Sequence, residues 1–391
     1  MSKPTVKITR TISSEQVLHA FVEVVRPNLP LELKNTRITA EDIIYALAYA
    51  NVHRLSIASA CQELQDAPSG NRLREVLAEA LPKQADVQRA LNRMFRQQLH
   101  PSLLKGKRDY NIAIDLTLIP YHGQPYEDEK EIVRGAAKSG TTHFHGYATV
   151  SIVSNNRRYV VALHFIEYGE QMAAIVRWLI KRVKALKIRI RRVFLDKGFC
   201  SNPVFKVLSQ HKLSYIVPIP VRGKSGGVRS LFQGKSRKTT YTFHSQKYGA
   251  YTVQAVTVKR YSKGRYRRHS TKWFAYAVAG LPVGISPAQV FELYRQRFGI
   301  ESSYRQMNLT RARTSTRNPA IRLLLVGLAF VLFNLYITLR QCLSSAIKQP
   351  VVSPKLFWLS LRRLALMLAR AIELFWGITQ VIQHQPCFTF S

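Results

Sequence analysis

Hydrophobic and polar positions follow two different periods along this chain, and the change between them divides it. From Ser13 to about Leu99 apolar residues recur every three to four positions, as in amphipathic helices. Two helices begin with N-cap signals, Ser-x-x-Gln and Thr-x-x-Asp. A basic linker at residues 101–108 precedes strand-like alternation. The pattern predicts an all-α N-terminal domain over residues 1–104.

Within that domain, two short helices near residues 56–65 and 71–81 flank a turn at 67–70, with the proportions of a helix-turn-helix. The second helix starts with side chains that can reach bases or phosphates. Helical hairpins of this shape are also common scaffolding, so both interpretations stay open. The residues predicted to contact DNA here are Asn71, Arg72 and Arg74.

Residues 105–221 predict a mixed α/β layer. A strand at 110–116 is followed by a hairpin around Asn155-Asn156, and then by alternating helices and strands. The predicted elements after the hairpin are a helix at 171–186, a strand at 192–195, a helix at 203–211 and a strand at 214–218. This order predicts the first part of a ribonuclease-H-like core.

Residues 222–281 break the α/β alternation. A glycine-rich basic connection leads into three runs with the pattern of antiparallel strands, which predicts an inserted antiparallel β subdomain. Basic residues surround a tight turn at Gly264, and they include Arg265 and Arg267. This tip suits a DNA backbone, with a solvated loop as the alternative.

A helix is predicted to begin at Ser286-Pro287 and to run to about Asn308. Tyr294, Arg297 and Glu301 would share one face, because they lie three and seven positions apart. A phenol, a guanidinium and a carboxylate together suit a phosphate-handling site. An ordinary solvated face with an Arg–Glu ion pair is the alternative.

The uncharged run at residues 323–339 lies at the lower edge of membrane-spanning length, about 20 residues. It contains Asn334 and has no partner span, so a core helix is predicted instead of a membrane span. Residues 282–345 are therefore assigned to the second part of the core. Residues 346–391 are predicted to be C-terminal helices.

Charge is the strongest compositional signal. The 391 residues include 59 Lys and Arg against 22 Asp and Glu, a net charge of +37 with a pI near 10.5. Such a chain favours a polyanionic partner, and nucleic acid comes before an anionic membrane surface. The four cysteines are far apart, which argues against a zinc site or a disulfide framework. With no signal peptide in the sequence, a cytoplasmic, nucleoid-associated location is expected.

Three carboxylates stand at chemically suggestive places in a chain poor in acids. Asp115 ends the first strand of the predicted core, Asp196 follows a later parallel strand, and Glu301 lies on a downstream helix. A carboxylate cluster of this kind holds Mg²⁺, and two such ions catalyse phosphodiester chemistry. Each aspartate alone has an ordinary explanation, since Asp often forms the turn after a strand.

These residues resemble the motifs of DDE transposases of the insertion-sequence type, in the broad fourth insertion-sequence family and its relatives. YRQRFGIE supplies the Tyr, Arg and Glu of that family's signature at Tyr294, Arg297 and Glu301. AIDLTLIPYHG resembles the first Asp motif, and FLDKGF resembles the second. The resemblance covers roughly residues 105–340.

The resemblance implies metal-dependent cleavage at transposon ends and strand transfer into target DNA. Asp115, Asp196 and Glu301 would be the catalytic residues and would hold two Mg²⁺ ions, with Mn²⁺ able to substitute. Double-stranded DNA, with its end inverted repeats and target, would be the partner of a homodimer, and no membrane is expected. Tyr294 and Arg297 would contact phosphates or a displaced base near the cut. Asn308 departs from the family's Lys, and Arg305, Arg311 or Arg313 would make the phosphate contact in its place.

Other candidate sites and functions receive less support. His143 and His145 lie two residues apart on one predicted strand, an arrangement more typical of packing or DNA contact than of a metal site. Lys138-Ser139-Gly140-Thr141 lacks the upstream glycine of a phosphate-binding loop and is discarded. The alternative function is a catalytically idle, domesticated transposase that acts as a sequence-specific DNA-binding protein.

Overall fold

The computed structural model describes residues 11–34, 36–106, 108–154, 157–263, 269–297, 307–346 and 359–381. The chain forms two compact units. The helical unit comprises residues 1–98 together with 305–391, and the sheet unit comprises residues 99–304.

The described helices, in chain order, are α1 Ser14–Val25, α2 Ala40–His53, α3 Ile57–Gln62, α4 Gly70–Ala80, α5 Gln84–Gln98, α6 Pro101–Leu104, α7 Met172–Ala185, α8 Asn202–Gln210, α9 Pro287–Arg295, α10 Pro319–Ala346 and α11 Leu361–Trp376. The described strands are β1 Asp109–Pro120, β2 Val133–Lys138, β3 Thr141–Ser154, β4 Arg157–Ile166, β5 Arg189–Leu195, β6 Tyr215–Pro218, β7 Arg237–Ser245, β8 Gly249–Lys263 and β9 His269–Ala279.

Nine described strands of the sheet unit form one sheet in the order β2-β3-β1-β5-β6-β9-β8-β7, with β4 also paired to β3. β1 is antiparallel to β3 and parallel to β5, and β5 is parallel to β6. The connections β4–α7–β5 and β5–α8–β6 supply the helices of the layer. Three antiparallel strands followed by two parallel ones agree with the predicted ribonuclease-H-like order.

The predicted β insertion continues this sheet and does not form a separate layer. β9 pairs antiparallel with β6, from Tyr215 opposite Ala279 to Pro218 opposite Tyr276. β8 and β7 then extend the same edge. The insertion therefore covers what would be an open strand edge at β6. Strand β2, absent from the sequence-based prediction, pairs with β3 through a turn at Ser139-Gly140.

The helical unit is built on α10, which packs along α5. A side chain at Gly327 would put its Cβ 2.3 Å from a methyl carbon of Leu91, so glycine permits this close approach. The Gln98 amide nitrogen donates to the Val331 carbonyl oxygen at 2.8 Å. In the structure α10 packs within the helical unit, whereas the sequence-based prediction grouped it with the ribonuclease-H-like core.

Helix α10 is also the described helix that is long and apolar enough to span a membrane, over Pro319–Leu343. The apolar window of this helix is entirely buried inside the structure. Burial of this kind is typical of a core helix.

Capping explains where several helices begin. Ser13 and Thr39 form the predicted capping boxes with Gln16 and Asp42. Ser286 does the same for α9 with Gln289. The prediction of one continuous helix to Asn308 is wrong. Helix α9 ends at Arg295, and residues 296–297 form a turn.

Candidate active site

Asp115 and Asp196 are brought together by the register of two parallel strands. Ile114 of β1 is the pairing partner of Leu195, the last residue of β5. The residues that follow this pair are Asp115, within β1, and Asp196, directly after β5, so the two carboxylates lie at the same level of adjacent central strands. Apolar residues bury these strands, since Ile112, Ile114 and Leu195 are fully buried. The prediction that Asp115 ends its strand is therefore wrong, because β1 runs on to Pro120, but the register still places Asp115 beside Asp196.

Local hydrogen bonds orient each carboxylate. Oδ1 of Asp115 accepts from the Leu116 amide at 2.9 Å, and Oδ1 of Asp196 accepts from the Lys197 amide at 2.7 Å. Asp196 caps a short 3₁₀ turn over Lys197–Phe199. The turn follows from the sequence, because a buried β5 leads into Asp-Lys-Gly-Phe and Phe199 returns to the core.

Arg297 lies between the two aspartates. Its Nη2 donates to Asp115 Oδ1 at 3.1 Å, and its Nη1 lies 3.8 Å from Asp196 Oδ1, within ion-pair range. The Arg297 side chain is 4% exposed and that of Asp115 is 13% exposed, whereas that of Asp196 is 42% exposed. A desolvated guanidinium needs such partners, because an unpaired buried charge is costly.

Buried Tyr294 contacts the backbone directly before Asp196. Its buried hydroxyl donates to the backbone carbonyl of Leu195 at 3.2 Å. Its ring packs against Phe194 and Tyr276, and the Arg297 guanidinium lies 6.0 Å from the ring centre. Burial raises the pKa of Tyr294, an effect that the Arg297 charge opposes, so the phenol stays protonated at neutral pH. In this structure Tyr294 and Arg297 are interior residues, and their predicted DNA contacts stay predictions.

Four predicted site residues, Glu301, Arg305, Arg265 and Arg267, lie outside the described residues. Among the described residues, no three or more His, Cys, Asp or Glu side chains lie together in a group that could hold a metal ion. His145 is buried against the Tyr121 ring, with ring centres 4.6 Å apart, which agrees with a packing role.

The remaining predicted DNA contacts lie on the helical unit. Asn71, Arg72 and Arg74 are exposed on the first turns of α4, and Arg313 is exposed on the loop before α10. Gly70 allows α4 to approach α3, since a Cβ there would lie 2.5 Å from the Ala58 Cα.

The loop before α10 is held by buried polar groups. The side-chain oxygen of buried Asn51 accepts from the Ala312 amide at 3.3 Å, and the Arg322 guanidinium donates to the Thr316 carbonyl at 2.6 Å. This loop and α4 line one cleft of about 470 Å³. Its polar lining includes Asn71, Arg74, Glu75, Thr314, Ser315 and Thr316. Two segments that the sequence pattern treated separately therefore meet.

Comparisons with known proteins identify the family. Residues 106–335, more than half of the chain, match the family model described as a transposase DDE domain. The chain belongs to this transposase family. Its function is that of a DNA transposase, in preference to the idle DNA-binding alternative. The more specific insertion-sequence family stays a prediction.

A solved structure agrees with this fold. This transposase matches the cryo-EM structure of the piggyBac transposase synaptic complex with hairpin DNA, with a TM-score of 0.56 and 14% identity. The match covers 96% of this chain and 84% of the other, which confirms the ribonuclease-H-like α/β class. The Marinitoga piezophila Argonaute complex with 5′ OH guide RNA matches with a TM-score of only 0.22, 8% identity, and coverage of 68% and 36%. No curated protein sequence matches the chain.

The contact of Arg297 with both aspartates was missed by the sequence-based prediction, which assigned this arginine to DNA. The sequence separation between Arg297 and Asp115 is 182 residues. The motif spacing relates Arg297 to Tyr294 and Glu301 and carries no signal about either aspartate.

Proposed function

We propose that this transposase cuts DNA at the ends of its element and joins those ends to target DNA, with Asp115, Asp196 and Glu301 as catalytic carboxylates. The observation that carries the proposal is the meeting of Asp115 and Asp196 beside paired residues Ile114 and Leu195. A strand holds side chains more rigidly than a loop does, which suits a site that must align a phosphodiester.

The residues fit a divalent cation. Both aspartates offer hard oxygen ligands, and both already approach one positive group, the Arg297 guanidinium. Asp115, Asp196 and Glu301 would hold two Mg²⁺ ions, or Mn²⁺ in their place. When bound, such ions activate an attacking oxygen and stabilise the leaving oxygen on phosphorus.

The reaction would proceed in two balanced steps. Water attacks a backbone phosphorus at the element's end, the P–O3′ bond breaks, and the leaving oxygen takes a proton to become a 3′-OH. That hydroxyl then loses its proton and attacks a phosphorus of target DNA, displacing the target's own 3′ oxygen. Joining two ends to one target requires two sites, so we propose a homodimer on DNA.

Double-stranded DNA would lie against arginines of the helical unit, of which Arg72, Arg74 and Arg313 are exposed and Arg311 is half-buried. Arg72, Arg74, Arg311 and Arg313 would neutralise phosphates, and Asn71 would reach phosphate or base. The net charge of +37 provides long-range attraction for the same partner.

Cleavage of an end-bearing DNA fragment in Mg²⁺ or Mn²⁺ tests the catalytic assignment. We expect Asp115→Asn, Asp196→Asn and Glu301→Gln each to lose more activity than the roughly 100-fold that loss of an outer-shell partner can cost. The control is Asp109→Asn, at the start of β1, where an exposed carboxylate pairs with Arg189 at 2.7 Å. Activity retained by the site variants would refute the assignment. DNA binding without cleavage by the unmodified protein would favour the idle alternative.

A further inference from the structure

The Arg297 guanidinium approaches both Asp115 and Asp196. Its two terminal nitrogens lie 3.1 and 3.8 Å from one oxygen of each carboxylate. The same two oxygens accept backbone amides of Leu116 and Lys197, so the carboxylates are oriented before any ligand arrives. A single guanidinium thus contacts both carboxylates.

The charges in this group depend on each other. Two neighbouring carboxylates repel when they are both ionised, and a positive group between them removes that repulsion. The guanidinium, in turn, is buried and requires negative partners. Tyr294 fixes the geometry, because its hydroxyl holds the carbonyl of Leu195, directly before Asp196.

We propose that Arg297 is the internal counter-ion of the metal-free site. It keeps Asp115 and Asp196 together before a divalent cation binds, and it competes with that cation for the same carboxylate oxygens. The proposal rests on the proposed function, since it takes both aspartates as metal ligands. It gives Arg297 a positioning role within the protein, in place of the phosphate contact that the motif spacing suggested.

Competition follows from simple electrostatics. A fixed positive charge beside the ligands repels an incoming divalent cation, and low local dielectric strengthens that effect. Removal of the charge should therefore tighten metal binding while it weakens the metal-free fold. A residue that served only to hold the carboxylates in place would give the opposite result for metal affinity.

Binding of Mn²⁺ to the full chain without DNA tests this inference, with free Mn²⁺ measured by electron paramagnetic resonance. We expect Arg297→Gln to lower the dissociation constant of Mn²⁺ about tenfold. Without metal, we expect the melting temperature of this variant to fall by about 5 °C or more, and added Mn²⁺ to restore much of the loss.

The matched control is Arg295→Gln. Arg295 lies two residues earlier, is 54% exposed and pairs with Glu292 at 3.0 Å. We expect this variant to match the unmodified protein in Mn²⁺ affinity and melting temperature. Equal or weaker Mn²⁺ binding by Arg297→Gln, or an unchanged metal-free melting temperature, would overturn the proposal.

Arg297→Lys provides a second measurement should the glutamine variant fail to fold. Lysine keeps the charge but lacks the fork that reaches two carboxylates, so an intermediate melting temperature is expected. A lysine variant identical to the unmodified protein in melting temperature would refute the bridging role.

Asp115→Asn separates this inference from the proposed function. Loss of Mn²⁺ binding in Asp115→Asn, with no change in Arg297→Gln, would remove only the counter-ion role. Unchanged Mn²⁺ binding in Asp115→Asn and Asp196→Asn would remove the metal assignment itself.

Discussion

Two sets of arginines, one in each compact unit of this transposase, have opposite surroundings. In the sheet unit, the Arg297 side chain is 4% exposed and lies between two aspartates. In the helical unit, Arg72, Arg74 and Arg313 face solvent around a core built on the apolar helix α10. A buried charge must be paired and so positions its partners, whereas an exposed charge remains available to a polyanion. The comparison predicts which substitutions affect stability and which affect DNA binding.

The largest effect on stability is expected in the helical unit's core. Leu332 of α10 is fully buried, so Leu332→Ala should lower the free energy of unfolding by about 2–5 kcal/mol. Guanidinium denaturation would measure the change. The control is Leu374→Ala on α11, where the side chain is 77% exposed and little effect is expected. Equal effects of the two substitutions would contradict the buried position of α10.

A smaller effect is expected where the sheet unit holds Asp196 in place. Tyr294→Phe removes the hydroxyl that donates to Leu195, which should cost about 1 kcal/mol of unfolding free energy. Tyr126→Phe is the control, because the Tyr126 side chain is 50% exposed. Urea denaturation of both variants would compare them. If Tyr126→Phe lowered the free energy of unfolding as much as Tyr294→Phe, the hydrogen bond from Tyr294 to Leu195 would not explain the loss.

The exposed arginines should change DNA affinity and leave stability almost unaltered. Arg74→Ala and Arg313→Ala should each raise the dissociation constant for end DNA several-fold and reduce the salt dependence of log K by about 1. Fluorescence anisotropy at several salt concentrations would give both quantities. Arg363→Ala, an exposed arginine on α11, serves as control. If the salt dependence of DNA affinity were unchanged in all three variants, DNA would bind to other residues than Arg74 and Arg313.

The smallest effect concerns pH. Partial burial, followed by the charges of Lys184, Arg177 and Lys181, lowers the pKa of His211 below its ordinary 6.5. The unfolded chain therefore takes up this proton more readily, so the stabilisation present above pH 6.5 should be lost as pH falls through the folded-state value. His211→Gln should reduce the difference in melting temperature between pH 7.5 and pH 5.5. If His211→Gln left this melting-temperature difference unchanged, groups other than His211 would cause the pH dependence.

Much of the fold follows from short-range pattern. Ser13 and Thr39 predicted two helix starts, because a cap and its partner lie within one turn of each other. Alternation around Asn155-Asn156 predicted the β3–β4 hairpin, in which Ser154 pairs with Arg157. Motif order predicted Asp115 and Asp196 as neighbours, although Asp115 lies within β1 and only Asp196 directly follows its strand.

Long-range contacts were not predictable in the same way. The sequence placed α10 with the catalytic core, although its apolar surface suits any buried partner equally well. The packing of Gly327 against Leu91 is what assigns it to the N-terminal helices. Likewise, the pairing of β9 with β6 joins the β insertion to the central sheet, and strand alternation alone does not specify a partner.

The sequence by itself showed motifs that resemble those of DDE transposases and an excess of positive charge that favours a polyanionic partner, because both are properties of the linear chain. Only the tertiary structure decided that Arg297 faces two aspartates and not solvent. Burial and partner choice depend on which segments meet in space, and a motif spanning eight residues contains no information about strands more than a hundred positions away.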